Sequence, residues 1–157
     1  MANKLNAMTG FYNNHATKGN QLLLELAEEL GDKQDVSRAA RVLRSTLHTL
    51  RNYLSTEESL QFISQLPLII KGVYVDGWTL CEKERANTWE EFKLDVLHQD
   101  GLPADHDFGN LILANQAIAA VFKVLLRFVS GGELSDILHE LPHKLRLPLI
   151  ALLANKI

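Results

Sequence analysis

The string His139-Glu140-Leu141-Pro142-His143 spells the pattern H-E-x-x-H. In that pattern two imidazoles on one helical face hold zinc, and the glutamate between them acts as a base. Three features argue against such chemistry here. Pro142 falls inside the string, where it would break the helix that must align the histidines. No His, Asp or Glu follows His143 to serve as a further ligand. An internal repeat, developed below, sets the same five positions against Ser64-Gln65-Leu66-Pro67-Leu68, a helix junction without a ligand. No catalytic residue is expected from the string.

A second cluster comprises His98, Asp100, Asp105, His106 and Asp107. Carboxylates and imidazoles held close together bind divalent metals. A metal-binding protein or metal-dependent enzyme using His98, Asp105, His106 and Asp107 is therefore the alternative reading. Against it, Asp and His are ordinary loop residues, and Asp105 or Asp107 would serve equally well to cap the next helix.

The third candidate is basic. Arg41, Arg44, His48 and Arg51 recur at steps of three, four and three, with Arg38 one step upstream. At about 100° per residue they share one arc of a helix. That arc lies away from an apolar stripe of Ala39, Ala40, Leu43, Leu47, Leu50 and Leu54, so it is expected to face solvent or a partner. The functional reading is a protein partner or an acidic ligand, met by electrostatic complementarity. The bland one is a solvated face paired with acids such as Glu57, Glu58 or Glu84. Four such side chains would give only weak, salt-sensitive binding to nucleic acid, so nucleic acid is not the expected partner.

The remaining chemistry is sparse. The single cysteine, Cys81, has no Cys or His neighbour in sequence and cannot form an internal disulfide. Trp78 and Trp89 flank the same segment and are expected to pin it. No glycine-rich phosphate loop or nucleophile-elbow pattern is present, and no cofactor is expected.

Composition bounds the rest. The chain has 157 residues, 46% hydrophobic and 22% charged, with 16 basic and 19 acidic residues and a net charge of −3. These values suit a folded globular chain and argue against a general phosphate binder. The N-terminal stretch lacks an apolar targeting core, so a cytoplasmic location is expected.

The elements that must position these residues are helical almost throughout. Residues 1–18 show no sustained period and are expected to form a flexible arm. A first helix is expected near 21–30, closed by Gly31. A second runs near 36–54, capped by Asp35. Ser55-Thr56-Glu57-Glu58 is a capping box, and Pro67 opens a fourth helix reaching about Val75. Residues 79–87 read as a linker. Thr88-Trp89-Glu90-Glu91 caps another helix to about Gln99, residues 100–109 form a turn-rich loop, and a long apolar helix follows over 110–129. Asn115, Gln116, Lys123 and Arg127 mark that helix as buried in protein and not membrane-spanning. Ser130 and Pro142 again signal helix starts. The apolar C-terminal run Leu145–Leu153 is expected to lie between the halves or at a subunit interface of a homo-oligomer.

This order repeats. Ser55, Glu58, Leu66 and Pro67 match Ser130, Glu133, Leu141 and Pro142 at an offset of 75. Upstream, Gly31 matches Gly101 at an offset of 70, so the loop at 100–109 carries a five-residue insertion (75 − 70 = 5). Two four-helix units are read, over 19–78 and 88–157, packed into one all-α bundle-like domain. The basic arc has Gln116, Ala119, Lys123 and Leu126 as its counterparts, so it belongs to the first unit alone.

The segment AARVLRSTLHTLRNYLSTEESLQFISQLPLIIKGVYVDGW, with its Ser-x-x-Glu cap, Gln65-Leu66-Pro67 and Gly77-Trp78, resembles the domain-of-unknown-function family 2267. Glu91-Phe92 is similar to the start of that family's second copy. The resemblance spans about residues 20–150 and implies an all-helical, cytoplasmic bacterial protein with nothing catalytic. The sequence departs from it in the N-terminal arm, the inserted Asp-His-Asp loop and a second copy with few basic residues.

Overall fold

The structure, a computed structural model, describes residues 2–80, 88–128, 136, 138–139 and 141–155. It is all-α, with eight helices and no strand among the described residues. These are α1 (Ala2–Glu29), α2 (Val36–Leu50), α3 (Thr56–Ser64), α4 (Leu68–Val75), α5 (Trp89–Asp100), α6 (Ala104–Asp107), α7 (Leu111–Arg127) and α8 (His143–Ala154). No helix among the described residues is long and apolar enough to cross a membrane.

The helix ends follow their local chemistry. Asp35 Oδ1 accepts the Arg38 amide at 2.9 Å and starts α2. Ser55 and Glu58, and likewise Thr88 and Glu91, form reciprocal capping boxes at α3 and α5. Pro67 and Pro142 sit immediately before α4 and α8 with nearly the same backbone angles. Gly101 closes α5 at φ +77, a conformation that side chains disfavour. The cap of α7 differs from the expectation: Asn110, not Asp105 or Asp107, accepts the amides of Ile112 and Leu113.

The arm expected over 1–18 is also different. Helix α1 runs unbroken from Ala2, 28 residues in all, or about 42 Å. From Gly10 to Lys18 its side chains are mostly exposed. With no core to face, this stretch had no reason to develop an apolar period, which is why periodicity did not reveal it. Further on, Leu22, Leu26 and Ala27 are buried. Gly19 is buried where α1 crosses α4, and a Cβ there would stand 3.1 Å from Ile69 Cγ2.

One core joins these helices, with Phe108 entering it just after α6. Helix α2 packs on α1, α4, α5 and α7; α7 packs on α1, α5 and α8; α4 meets α1, and α8 meets α5. Residues 75 apart share the same burial: Ala39 and Ala114, Leu43 and Ile118, Leu47 and Phe122, Leu50 and Leu125, Ile70 and Leu145, Tyr74 and Leu149 are all buried. Helix α7 is buried along most of its length, as its composition predicted. In α8 only Leu145 and Leu149 are buried, while Leu147 and Ile150 are exposed, so the C-terminal run is amphipathic and not wholly internal.

Candidate functional site

The fold brings two of the three candidates together. The N-terminal half of α2 faces the 101–109 corner, and the basic residues of one meet the acidic residues of the other. Arg41 is one turn beyond Arg38, and Ser45 one turn beyond Arg41, so all three reach the same corner. Asp107 is fully buried there. Arg41 grips it with two parallel bonds, Nε to Oδ2 at 2.7 Å and Nη2 to Oδ1 at 2.8 Å. Arg38 ties the backbone on either side, Nε to the Asp107 carbonyl and Nη1 to the Leu30 carbonyl, both at 3.0 Å. Outside them, His106 Nε2 lies 2.8 Å from Asp35 Oδ2.

Asp100 completes the corner. Its Oδ1 lies 2.5 Å from Ser45 Oγ, which also lies 2.8 Å from the Arg41 carbonyl. Its buried Oδ2 has no hydrogen-bond donor. Burial and then the neighbouring Asp107 carboxylate push Asp100 up to about 6, against the pull of Ser45 and Arg41. Ser45 Oγ is the donor toward both Asp100 Oδ1 and the Arg41 carbonyl, and its single hydroxyl hydrogen is shared between these two acceptors. Asp35 moves the other way: His106 and the Arg38 amide hold it below the usual carboxylate range. The Asp107 pairing raises Arg41.

This corner is an internal clamp. Asp107 presents no surface to a substrate, so the pair cannot serve as an accessible acid or base. Its physical effect is to hold α2 to the turn between α5 and α7.

The rest of the basic arc is divided. Arg44 pairs with Asp76 at 3.0 Å, both side chains more than half exposed. His48, expected to face outward, is buried, and its Nε2 donates to the Val73 carbonyl at 2.7 Å. Burial lowers its pKa, so it stays neutral. Arg51 Nη1 donates to the Tyr74 carbonyl at 2.7 Å and the Asp76 carbonyl at 2.8 Å, capping the end of α4. The outward arc was inferred from angle alone. Helix α4 returns across it, and its carbonyl ends draw His48 and Arg51 inward.

The metal candidates do not converge. His106 pairs with Asp35, Asp107 pairs with Arg41, and His98 and Asp105 are exposed. Among the described residues no three of His, Cys, Asp and Glu are grouped to hold a metal ion. In the HELPH string, His139 lies before α8 and His143 begins it, so the two do not share a helical face; His139 Nδ1 lies 3.2 Å from Arg146 Nη1. Glu140 and Cys81 lie outside the described residues. Trp78 packs edge-on against Tyr74, and Trp89 stacks on Phe92 while donating to Asn115 Oδ1 at 2.8 Å.

The clamp was missed in the sequence, although a signal existed. The Arg38–Arg41 pair and the acidic 100–107 segment are opposite in sign, and opposite charges on neighbouring elements are natural partners for each other.

An all-helical fold joined through one core, with an arginine fastened to a buried aspartate at its corner, defines a class of helical domain. The chain belongs to the family described as "Uncharacterized conserved protein (DUF2267)", which it matches over residues 19–147. No curated protein matches it.

Proposed function

We propose that the protein is a non-enzymatic helical binding module, built from two copies of one four-helix unit, whose first copy receives a protein partner or acidic ligand on the outer edge of α2. The observation that carries this reading is the exposure of Arg41 and Arg44. Their side chains remain 38% and 57% exposed on adjacent turns after the internal pairings are made. Arg44 is held only by an exposed carboxylate, and such a surface pair contributes little. An incoming acidic group therefore has little to displace. His48 and Arg51 take supporting roles, fixing α4 beside that edge. The duplication is supported by matched caps and matched burial at an offset of 75. A cytoplasmic location is part of the same reading, supported by the lone cysteine.

The test is direct titration of the intact protein with a fluorescent hexaglutamate peptide. Arg44→Glu is expected to weaken binding about tenfold, and added salt to weaken it further. Equal affinity of Arg44→Glu and the native chain at low salt would contradict the reading.

A further inference from the structure

A cavity of about 170 Å³ opens between the end of α1, the start of α2 and the first turns of α7. Leu30, Phe108, Leu113 and Ala117 make most of its wall apolar, while Glu29 and Arg38 add one charge of each sign. Arg41 and Arg44 take no part in that wall. Gly109 shapes one side of it. Its φ is +73, and a Cβ there would stand 2.8 Å from Leu113 Cδ1, so the missing side chain lets Leu113 fold down over the turn.

Arg38 is fixed before any ligand arrives. Its Nε and Nη1 donate to the Asp107 and Leu30 carbonyls, each at 3.0 Å. Both acceptors are neutral, and Nη2 has no acceptor among the described residues. Glu29 is fixed as well. Lys123 Nζ reaches its Oε2 at 2.9 Å, and Arg127 Nη2 reaches its Oε1. A carboxylate oxygen accepts two hydrogen bonds, so each oxygen keeps one place. The two groups are neighbours in space, because the carbonyl that Arg38 holds belongs to the residue next to Glu29. A held donor and a held acceptor bind with little further loss of side-chain freedom.

The pairing of charges selects the ligand. A simple anion would meet the Glu29 carboxylate, and a simple cation would meet the Arg38 guanidinium. A ligand with a carboxylate at one point and an ammonium beside it meets both with opposite charge. The apolar wall then takes a short hydrocarbon side chain. A cavity of roughly 150 Å³ holds a benzene ring, and a branched aliphatic amino acid is of about that bulk. We propose that this cavity binds a free α-amino acid with a small aliphatic side chain, its carboxylate on Arg38 Nη2 and its ammonium on Glu29. This ligand and its place differ from those proposed for the outer edge of α2, so either reading can fail alone.

The experiment titrates the full chain with valine and follows methyl NMR signals. Saturable shifts are expected at Leu30, Leu113 and Ala117, with a midpoint on the order of 1 mM for so small a ligand. Isovalerate lacks the ammonium and isobutylamine lacks the carboxylate, and each should bind at least about tenfold more weakly than valine. Glu29→Gln keeps the shape of a side chain that is already paired at the surface. It should weaken valine by about the same factor and leave isovalerate no worse. No saturable shift at those three residues with valine would overturn the proposal. Isovalerate or isobutylamine binding as tightly as valine would reduce the cavity to a site for one charge and overturn it too. Unchanged valine affinity in Glu29→Gln would also overturn it. If that variant does not fold, the two analogues decide alone.

Discussion

The two halves of this chain solve the same packing problem with different polar residues. In the first, α2 carries Arg38, Arg41, Arg44, His48 and Arg51. In the second, α7 carries Gln116, Ala119, Lys123 and Leu126 at the places of the last four. Both helices bury the same stripe against the same kinds of neighbours. The core therefore requires neither set. The arginines of α2 lie beside the acidic corner at 101–109, and the fold uses part of that charge to fasten it. Lys123 and Arg127 of α7 meet Glu29 and Glu25 of α1 on the surface instead. A charge that looks functional in sequence can be internal in structure, and only its remainder is available to a partner.

The sharpest way to break this comparison is at Arg41. Arg41→Ala strands a fully buried carboxylate and is expected to cost about 3–5 kcal/mol. Gln116→Ala, at the corresponding place on α7, should change stability by less than about 0.5 kcal/mol. Urea denaturation of both variants checks the difference. Similar losses would mean that Arg41 has no special role. Next in size, Leu47→Ala and Phe122→Ala remove paired core side chains and should each cost about 3 kcal/mol. Because one core joins the halves, both variants should still unfold in a single transition. Helical and aromatic circular dichroism that part company in either variant would show the halves melting separately.

Much of the architecture was legible. The capping boxes at Ser55 and Thr88, the prolines before α4 and α8 and the Asp35 cap are local signals that depend on neighbouring residues alone, and they appear where the spacing put them; the start expected at Ser130 lies outside the described residues. The stretch of α1 from Gly10 to Lys18 was not legible, because an exposed helix writes no apolar period. The direction of His48 was not legible either. Angle along α2 separates it from the apolar stripe, but the carbonyl it meets belongs to α4, 25 residues away. The candidate site was half visible: Arg38, Arg41, Asp100, His106 and Asp107 were singled out, but as two rival sites, and Ser45 was not singled out at all. Their union depends on a tertiary contact between positions 66 residues apart.

The acid corner gives a smaller effect with a definite sign. Asp100 rises from 3.8 to about 6 on folding, so its protonated form is the one the fold favours. Its contribution is fully present below about pH 4 and is lost as pH rises through 6. Urea midpoints compared between pH 5 and 7.5 should fall more for the native chain than for Asp100→Asn, by the equivalent of about 1 kcal/mol. Parallel curves would place an ionised Asp100 at the corner. His48 has the opposite sense: its lowered pKa means that the fold loses stability as pH falls below 6.5 toward its folded value. The smallest effect is expected at Arg44, whose pairing with Asp76 is exposed. Arg44→Ala should cost under about 0.5 kcal/mol, and a larger loss in thermal denaturation would make it part of the clamp and not a free edge.

The claim that the 101–109 corner is held by the arginines at the start of α2 is tested most directly by a double-mutant cycle between Arg41 and Asp107. Arg41→Met, Asp107→Asn and the double variant are compared by urea denaturation at constant pH and salt. A bidentate pair with one partner fully buried should give a coupling of about 2–3 kcal/mol, the double variant being far less damaged than the two single losses added together. A coupling near zero would contradict it, leaving the arginine arc and the acidic corner as independent features of the surface.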